Sequence, residues 1–467
     1  MLLTKLFRRL FHHPPAPRSK APAGNPSAAS FAALERQAPL RQVVEADASA
    51  TPEIGATIIC REAVLNRQQR VAGYQFMLQE AVHAHIRRQS RSIFHLYTEV
   101  LVQSLMHANI GELLGHRFAF IEVPDSFLEH PSLTQLPPAN TFFILKPMEE
   151  HAGPTAKSLV EQIRALRALG YHIGVPDPMA TPEYFHLMGD IDLVCVQGPG
   201  VDIEQGTKLV RHLLKLAPHA ALLVRDLPGM EDFDFCFKLG ATLFHGPFIT
   251  SRERWEARNL GPNYSRLTLL LNRLRQDANT REIVNLIKQD AAIALRLLRY
   301  INSAANGLHE QVSSIERAIV LLGRTPLQRW LALMLCASNR KQPRADAVLE
   351  AALVRARTME LIAASHPLPE REAMFLTGLL SLIDVILQQP MEHALEALAI
   401  DSAIRDAILD NRGPCAAALA LARACENRDI SGIIFNAAAC DITPEQASIW
   451  YMDALAWTLT LQKEEND

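Results

Sequence analysis

The apolar patterning of this chain changes character once, near residue 254, and that switch constrains the fold more than any single motif. Before it, short apolar runs alternate with amphipathic stretches. The runs ATIIC at 56–60, FAFIEV at 118–123, FFILK at 142–146, YHIGV at 171–175, IDLVCV at 191–196, ALLV at 221–224 and ATLF at 241–244 have strand length. Between them, 93–109, 158–169 and 208–216 carry apolar residues at helical spacing. This alternation predicts a (β/α)-type barrel, in which chemistry gathers where strands end and loops begin. A further stretch, VAGYQFML at 71–78, reads as a buried strand or hairpin interrupted by one amide, Gln75.

Beyond RWEARNLGPNYS at 254–265, which reads as a linker, almost everything is helical in pattern. Candidate helices lie at 282–287, 292–301, 318–322, 327–335, 345–362, 373–387, 394–398, 416–425 and 449–457. SSIE at 313–316 reads as a capping box ahead of 318–322, which Gly323 ends. TPLQ at 325–328 offers a second N-cap with proline at the first helical position. The expected fold class is therefore α/β plus all-α. Its divisions are a disordered Pro/Ala-rich segment at 1–50, a barrel at 51–253, a linker at 254–265 and a helical domain at 266–467.

A length of 467 residues calls for two cores rather than one. A net charge of −3 offers no general attraction to nucleic acid, and none is expected as a partner. Seven scattered cysteines, none in a C-x-x-C pair, suggest neither a disulfide framework nor a zinc knuckle and fit a reducing cytoplasm. No apolar run reaches membrane-spanning length. Within residues 2–11, Leu3, Leu6, Phe7, Leu10 and Phe11 recur at helical spacing with Lys5, Arg8 and Arg9 between them. Two readings stay open: a basic amphipathic helix making peripheral contact with a membrane or a partner, or the frayed start of a disordered tail.

The order of segments resembles a bacterial tandem, an EAL domain followed by an HDOD domain. In the first half the resemblance rests on ICREAVLNRQQRVAGY at 59–74, FIEVPDSFL at 120–128 and LGATLFHGPF at 239–248. In the second it rests on Asn302–Ala304, SIERAIVLLG at 314–323, VRARTME at 354–360 and GLLSLI at 378–383. It implies a barrel of the cyclic di-GMP phosphodiesterase type joined to a helical relative of HD hydrolases.

An active EAL enzyme would hold divalent metals on strand-end oxygen ligands, and a metal-bound water would attack phosphorus. The resemblance sets Gln75 where the family has its name-giving glutamate, Glu122 in place of an asparagine, and Lys146 in place of a metal-binding glutamate. Pro176 and Asp177 stand where paired aspartates are expected, Cys195 and Gln197 match a K-x-D pattern, and His245 replaces the glutamine that contacts the nucleotide. A late acidic position falls on Asp226 or Pro228 by register. Glu122, Glu149, Asp177 and Asp226 are the acids from which an unorthodox metal site would have to be built, and they are otherwise ordinary strand-end and loop carboxylates. In the second half, Ser381 and Leu382 occupy the places of the adjacent His and Asp of HD hydrolases.

These substitutions remove both metal charge balance and water activation, so no catalytic residues, metal or cofactor are expected. The expected function is a non-catalytic signalling protein working through protein partners of its HDOD domain. Cyclic di-GMP reception without hydrolysis is the alternative, and an active phosphodiesterase is the last reading.

Overall fold

The computed structural model describes residues 59–78, 91–107, 110–146, 153–177, 186–198, 203–256, 261–302, 312–339, 344–427 and 429–466. The expectations for residues 1–50, the amphipathic segment 2–11 among them, and for Glu149 lie outside the described residues.

Eight strands close a barrel in chain order. They are β1 (Ile59–Asn66), β2 (Val71–Leu78), β3 (Phe118–Pro124), β4 (Thr141–Lys146), β5 (His172–Pro176), β6 (Leu193–Gln197), β7 (Ala221–Arg225) and β8 (Leu243–His245). β1 runs antiparallel to both β2 and β8, and every other pairing is parallel. The connecting helices are α1 (Arg91–His107), α2 (Ile110–Leu114), α3 (Ala156–Ala168), α4 (Ile203–Leu216) and α5 (Met230–Leu239). Each of the seven apolar runs contributes to a strand, and the stretch around Gln75 supplies the eighth.

Side chains alternate across each strand, so residues two apart share a face. Val64, Phe120, Phe142, Ile144, Leu193, Cys195 and Leu223 fill the barrel interior. The next inward positions toward the C-terminal ends of β3, β6 and β7 are Glu122, Gln197 and Arg225, so the mouth is polar. There Gly246 adopts a φ of 140°, and a Cβ on it would lie 2.3 Å from the Leu227 nitrogen. Only glycine permits this approach, which brings the end of β8 against the loop after β7.

The second half comprises α6 (Pro262–Arg275), α7 (Thr280–Lys288), α8 (Ala291–Ile301), α9 (Ile315–Leu322), α10 (Arg324–Cys336), α11 (Ala345–Ile362), α12 (Leu368–Leu380) and α13 (Ile383–Leu387). It continues through α14 (Met391–Glu396), α15 (Ser402–Leu409), α16 (Ala416–Asn427), α17 (Ile430–Ala439) and α18 (Pro444–Asn466). The patterning singled out α11 to the residue but passed over α6, α15 and α17.

Three local expectations are corrected. The cap of α9 is Ser314, whose hydroxyl accepts from the Arg317 N–H, and Glu316 instead pairs with Lys288. Thr325 caps nothing: Gly323, at φ 79°, lets the chain turn straight from α9 into α10. The span 373–387 is not one helix. It breaks between α12 and α13, where the Ser381 hydroxyl donates 2.7 Å to the Gly378 carbonyl.

α11 and α12 touch backbone to backbone at Gly378, where a Cβ would lie 2.6 Å from the Ala356 Cα and nitrogen. Gly378→Ala is expected to lower stability by about 2 kcal/mol through overpacking, as thermal unfolding would record. No single helix among the described residues is long and apolar enough to cross a membrane.

Candidate functional site

The mouth of the barrel holds a cavity of about 60 Å³ lined by Glu62, Gln75, Glu122, Gln197, Arg225, Asp226 and His245, with Phe76, Met77, Tyr97 and Leu101 as its apolar wall. Hairpin register sets Glu62 of β1 opposite Gln75 of β2. The Arg225 guanidinium crosses the barrel to the Glu122 carboxylate. Burial alone would lower the affinity of Arg225 for its proton, but Cys195, Glu122 and Asp226 outweigh it and hold the cation firmly charged. Its Nε and Nη2 atoms find no hydrogen-bond partner among the described residues.

His245 is buried between two carboxylates. Glu62 contacts Nε2 directly, and Asp226 Oδ1 lies 3.7 Å from Nδ1. The second Asp226 oxygen accepts from the Gln197 amide. Gln75 is only 6% exposed, and its Oε1 has no hydrogen-bond partner among the described residues.

The remaining positions stand apart from this cavity. Lys146 sets its ammonium 4.7 Å above the Phe94 ring of α1. Cys195 lies one layer deeper, and burial pushes its thiol up to about 11, so it is a packed side chain rather than a nucleophile. Pro176 closes β5, and burial raises the carboxyl of the neighbouring Asp177.

The divalent ions of an EAL enzyme do not fit the residues that replace its ligands. Glu122 is already occupied by a guanidinium, Gln75 offers a neutral amide, and Lys146 brings a positive charge. Sequence reasoning missed Glu62, although it lies within the 59–74 stretch that carries the resemblance. Its signal was the hairpin, because counting back across the turn pairs it with Gln75.

In the helical half, Ser381 and Leu382 are buried at the α12–α13 break. The Ser381 hydroxyl accepts 3.0 Å from Arg355, whose Nε donates 2.6 Å to Glu426. Arg252, from the chain leaving the barrel, pairs with Asp384 at 2.5 Å and also reaches the Ser381 carbonyl. Hydrogen bonds and ion pairs between protein groups thus surround Ser381 at the α12–α13 break.

Residues 262–408 match the HDOD domain family model. The helical half carries an HDOD domain. Ahead of it stands an eight-stranded barrel, the order that the EAL–HDOD resemblance implied.

Two curated proteins are similar over most of the chain. The uncharacterized protein YuxH of Bacillus subtilis is 21% identical, with 85% of this chain and 97% of that protein covered. The cyclic di-GMP phosphodiesterase CdgJ of Vibrio cholerae is 22% identical, with 81% and 86% covered. Among solved structures, a standalone EAL protein from Vibrio cholerae O395 in its c-di-GMP-bound form is similar at 13% identity and a TM-score of 0.35, covering 41% of this chain and 90% of that one. The FimX EAL domain of Xanthomonas citri in complex with c-di-GMP is similar at 12% identity and a TM-score of 0.34, covering 44% and 91%.

Proposed function

We propose that this protein is a non-catalytic signalling protein that works through protein partners of its HDOD domain, in regulation linked to cyclic di-GMP, with motility or biofilm formation as outputs. The observation that carries the reading is the Arg225–Glu122 pair, which puts a fixed protein cation where EAL chemistry needs an exchangeable divalent one. The Arg355–Ser381 bond supports the same reading in the helical half. The similarity to a protein named cyclic di-GMP phosphodiesterase supports the link to that nucleotide.

A second reading, reception of cyclic di-GMP without cleavage, draws on the charged Arg225 guanidinium that lines the cavity, which suits a phosphate oxygen. The purified chain given cyclic di-GMP with magnesium or manganese is expected to release no linear dinucleotide. Turnover that Asp177→Ala abolishes would overturn the non-catalytic reading. Calorimetric titration then divides the two: heat lost in Arg225→Ala favours the receptor, and no heat favours the pure adaptor.

A further inference from the structure

Two carboxylates converge on one buried imidazole at the barrel mouth, and they arrive from different parts of the chain. Glu62 comes from β1, Asp226 from the loop after β7, and His245 from the end of β8. One donor atom from each lies within 4.8 Å of the others. Donors held about 2.0–2.2 Å from a common centre lie roughly 3.3 Å apart, so side-chain movements of about an ångström close the set. The cavity they line, about 60 Å³, accommodates such movement. Gln197 binds the far oxygen of Asp226 and so helps to aim the near one toward His245.

A second observation points to a ligand independently. Gln75 lines the same cavity, is 6% exposed, and leaves its Oε1 without a hydrogen-bond partner among the described residues. A buried amide oxygen in that state lacks a donor or a cation. Gln75 sits directly across the hairpin from Glu62, and both residues line the cavity.

We propose that Glu62, Asp226 and His245 bind one divalent transition-metal ion, with the Gln75 amide oxygen as a fourth donor. Two carboxylates balance the charge of the ion, and a neutral imidazole supplies nitrogen. That mixed donor set suits zinc, manganese or cobalt rather than magnesium, which takes oxygen ligands alone. The ligand set differs from that of an EAL enzyme in Glu62 of β1 and His245 of β8, although Gln75 and Asp226 stand at positions the resemblance aligns with EAL acids, and it excludes Lys146 and the Arg225-bound Glu122. The proposal concerns binding and stands whether or not the protein is catalytic.

The test uses the full chain, stripped with chelator and titrated separately with Zn²⁺, Mn²⁺ and Co²⁺ by calorimetry. One ion per chain is expected. His245→Ala and Glu62→Gln are each expected to weaken binding ten-fold or more, with unfolding curves confirming that the variants are folded. Gln75→Glu, which exchanges a neutral oxygen for a charged one, is expected to tighten binding about ten-fold. The Co²⁺ absorption should lack thiolate charge-transfer bands, which separates this site from the seven free cysteines. The idea is overturned by failure of all three ions to bind stoichiometrically, by affinities unchanged in the three variants, or by thiolate bands. In each case His245 is instead a structural link, hydrogen-bonded to the Glu62 carboxylate through Nε2 and accepting from the Asp226 backbone N–H at Nδ1.

Discussion

Glu350→Ala is expected to destabilise the protein by about 3–5 kcal/mol and to loosen the barrel from the helical half. Glu350 stands on α11 and is 2% exposed. Its carboxylate reaches across to the barrel, to the Tyr74 hydroxyl, Arg117 at 2.9 Å and Arg61 at 3.6 Å. Both guanidiniums also lie over the Tyr74 ring, at 4.7 Å for Arg61 and 5.5 Å for Arg117. Removing the carboxylate strands two buried cations, and the penalty comes chiefly from what is left behind rather than from the bonds lost. Urea unfolding at neutral pH measures it, and a loss below about 1 kcal/mol would contradict the argument. The further exchange of Arg117 for Met in the Glu350→Ala background should recover part of the loss, because one stranded charge is then gone.

This joint also ties the two candidate sites together. Adjacent residues on a strand face opposite sides. β1 presents Glu62 to the cavity and Arg61 to Glu350; β2 presents Gln75 to the cavity and Tyr74 to Glu350. The hairpin that lines the mouth therefore also grips the helical half. The same two strands line the cavity and contact the helical half through Glu350.

The architecture was legible because both periodicities are strong. Strand-length runs between amphipathic helices announce a closed α/β layer, and α11 announces itself by length and by a composition rich in Ala, Leu, Glu and Arg, free of Gly and Pro. Gln75 became meaningful only through the family resemblance, since an amide in an apolar strand has no local explanation. The Arg225–Glu122 pair was illegible for a different reason: 103 positions separate the partners, and only barrel closure brings them together. Glu62 depended on hairpin register, which a one-residue slip would have reversed. The break at Ser381 escaped notice because LLSLI keeps an apolar pattern through it. A hydroxyl bonding backward to Gly378, not a change in hydropathy, helps end the helix there.

Acid should dismantle the core of the helical half through Glu360, and Glu360→Gln should remove that sensitivity. The buried Arg329 guanidinium binds the Glu360 carboxylate through two bonds, 2.7 and 3.1 Å, and lies 3.5 Å over the Phe375 ring. Arg357 adds a third bond at 2.7 Å. Burial alone would raise the Glu360 carboxyl, but the two arginines outweigh it and hold the group at about 2, against 4.5 for a free glutamate. A depressed folded-state value means stability that is present above the unfolded value and lost as pH falls from about 4.5 through about 2. The full loss is about 3 kcal/mol. At neutral pH, Glu360→Gln should cost about 3 kcal/mol by leaving the buried Arg329 to the more distant Glu372 carboxylate at 3.2 Å. As pH falls below 4.5, the gap between wild type and variant should narrow, because the wild type loses what the variant already lacks. Urea unfolding of both proteins at pH 5.5, 4 and 3 tests this, and a constant gap would overturn it. α11 thus carries three charges to three different ends: Glu350 to the barrel, Arg355 to Ser381 at the α12–α13 break and Glu360 to the core. The helix anchors the fold at each of those charges, which is why the acid response should appear in stability.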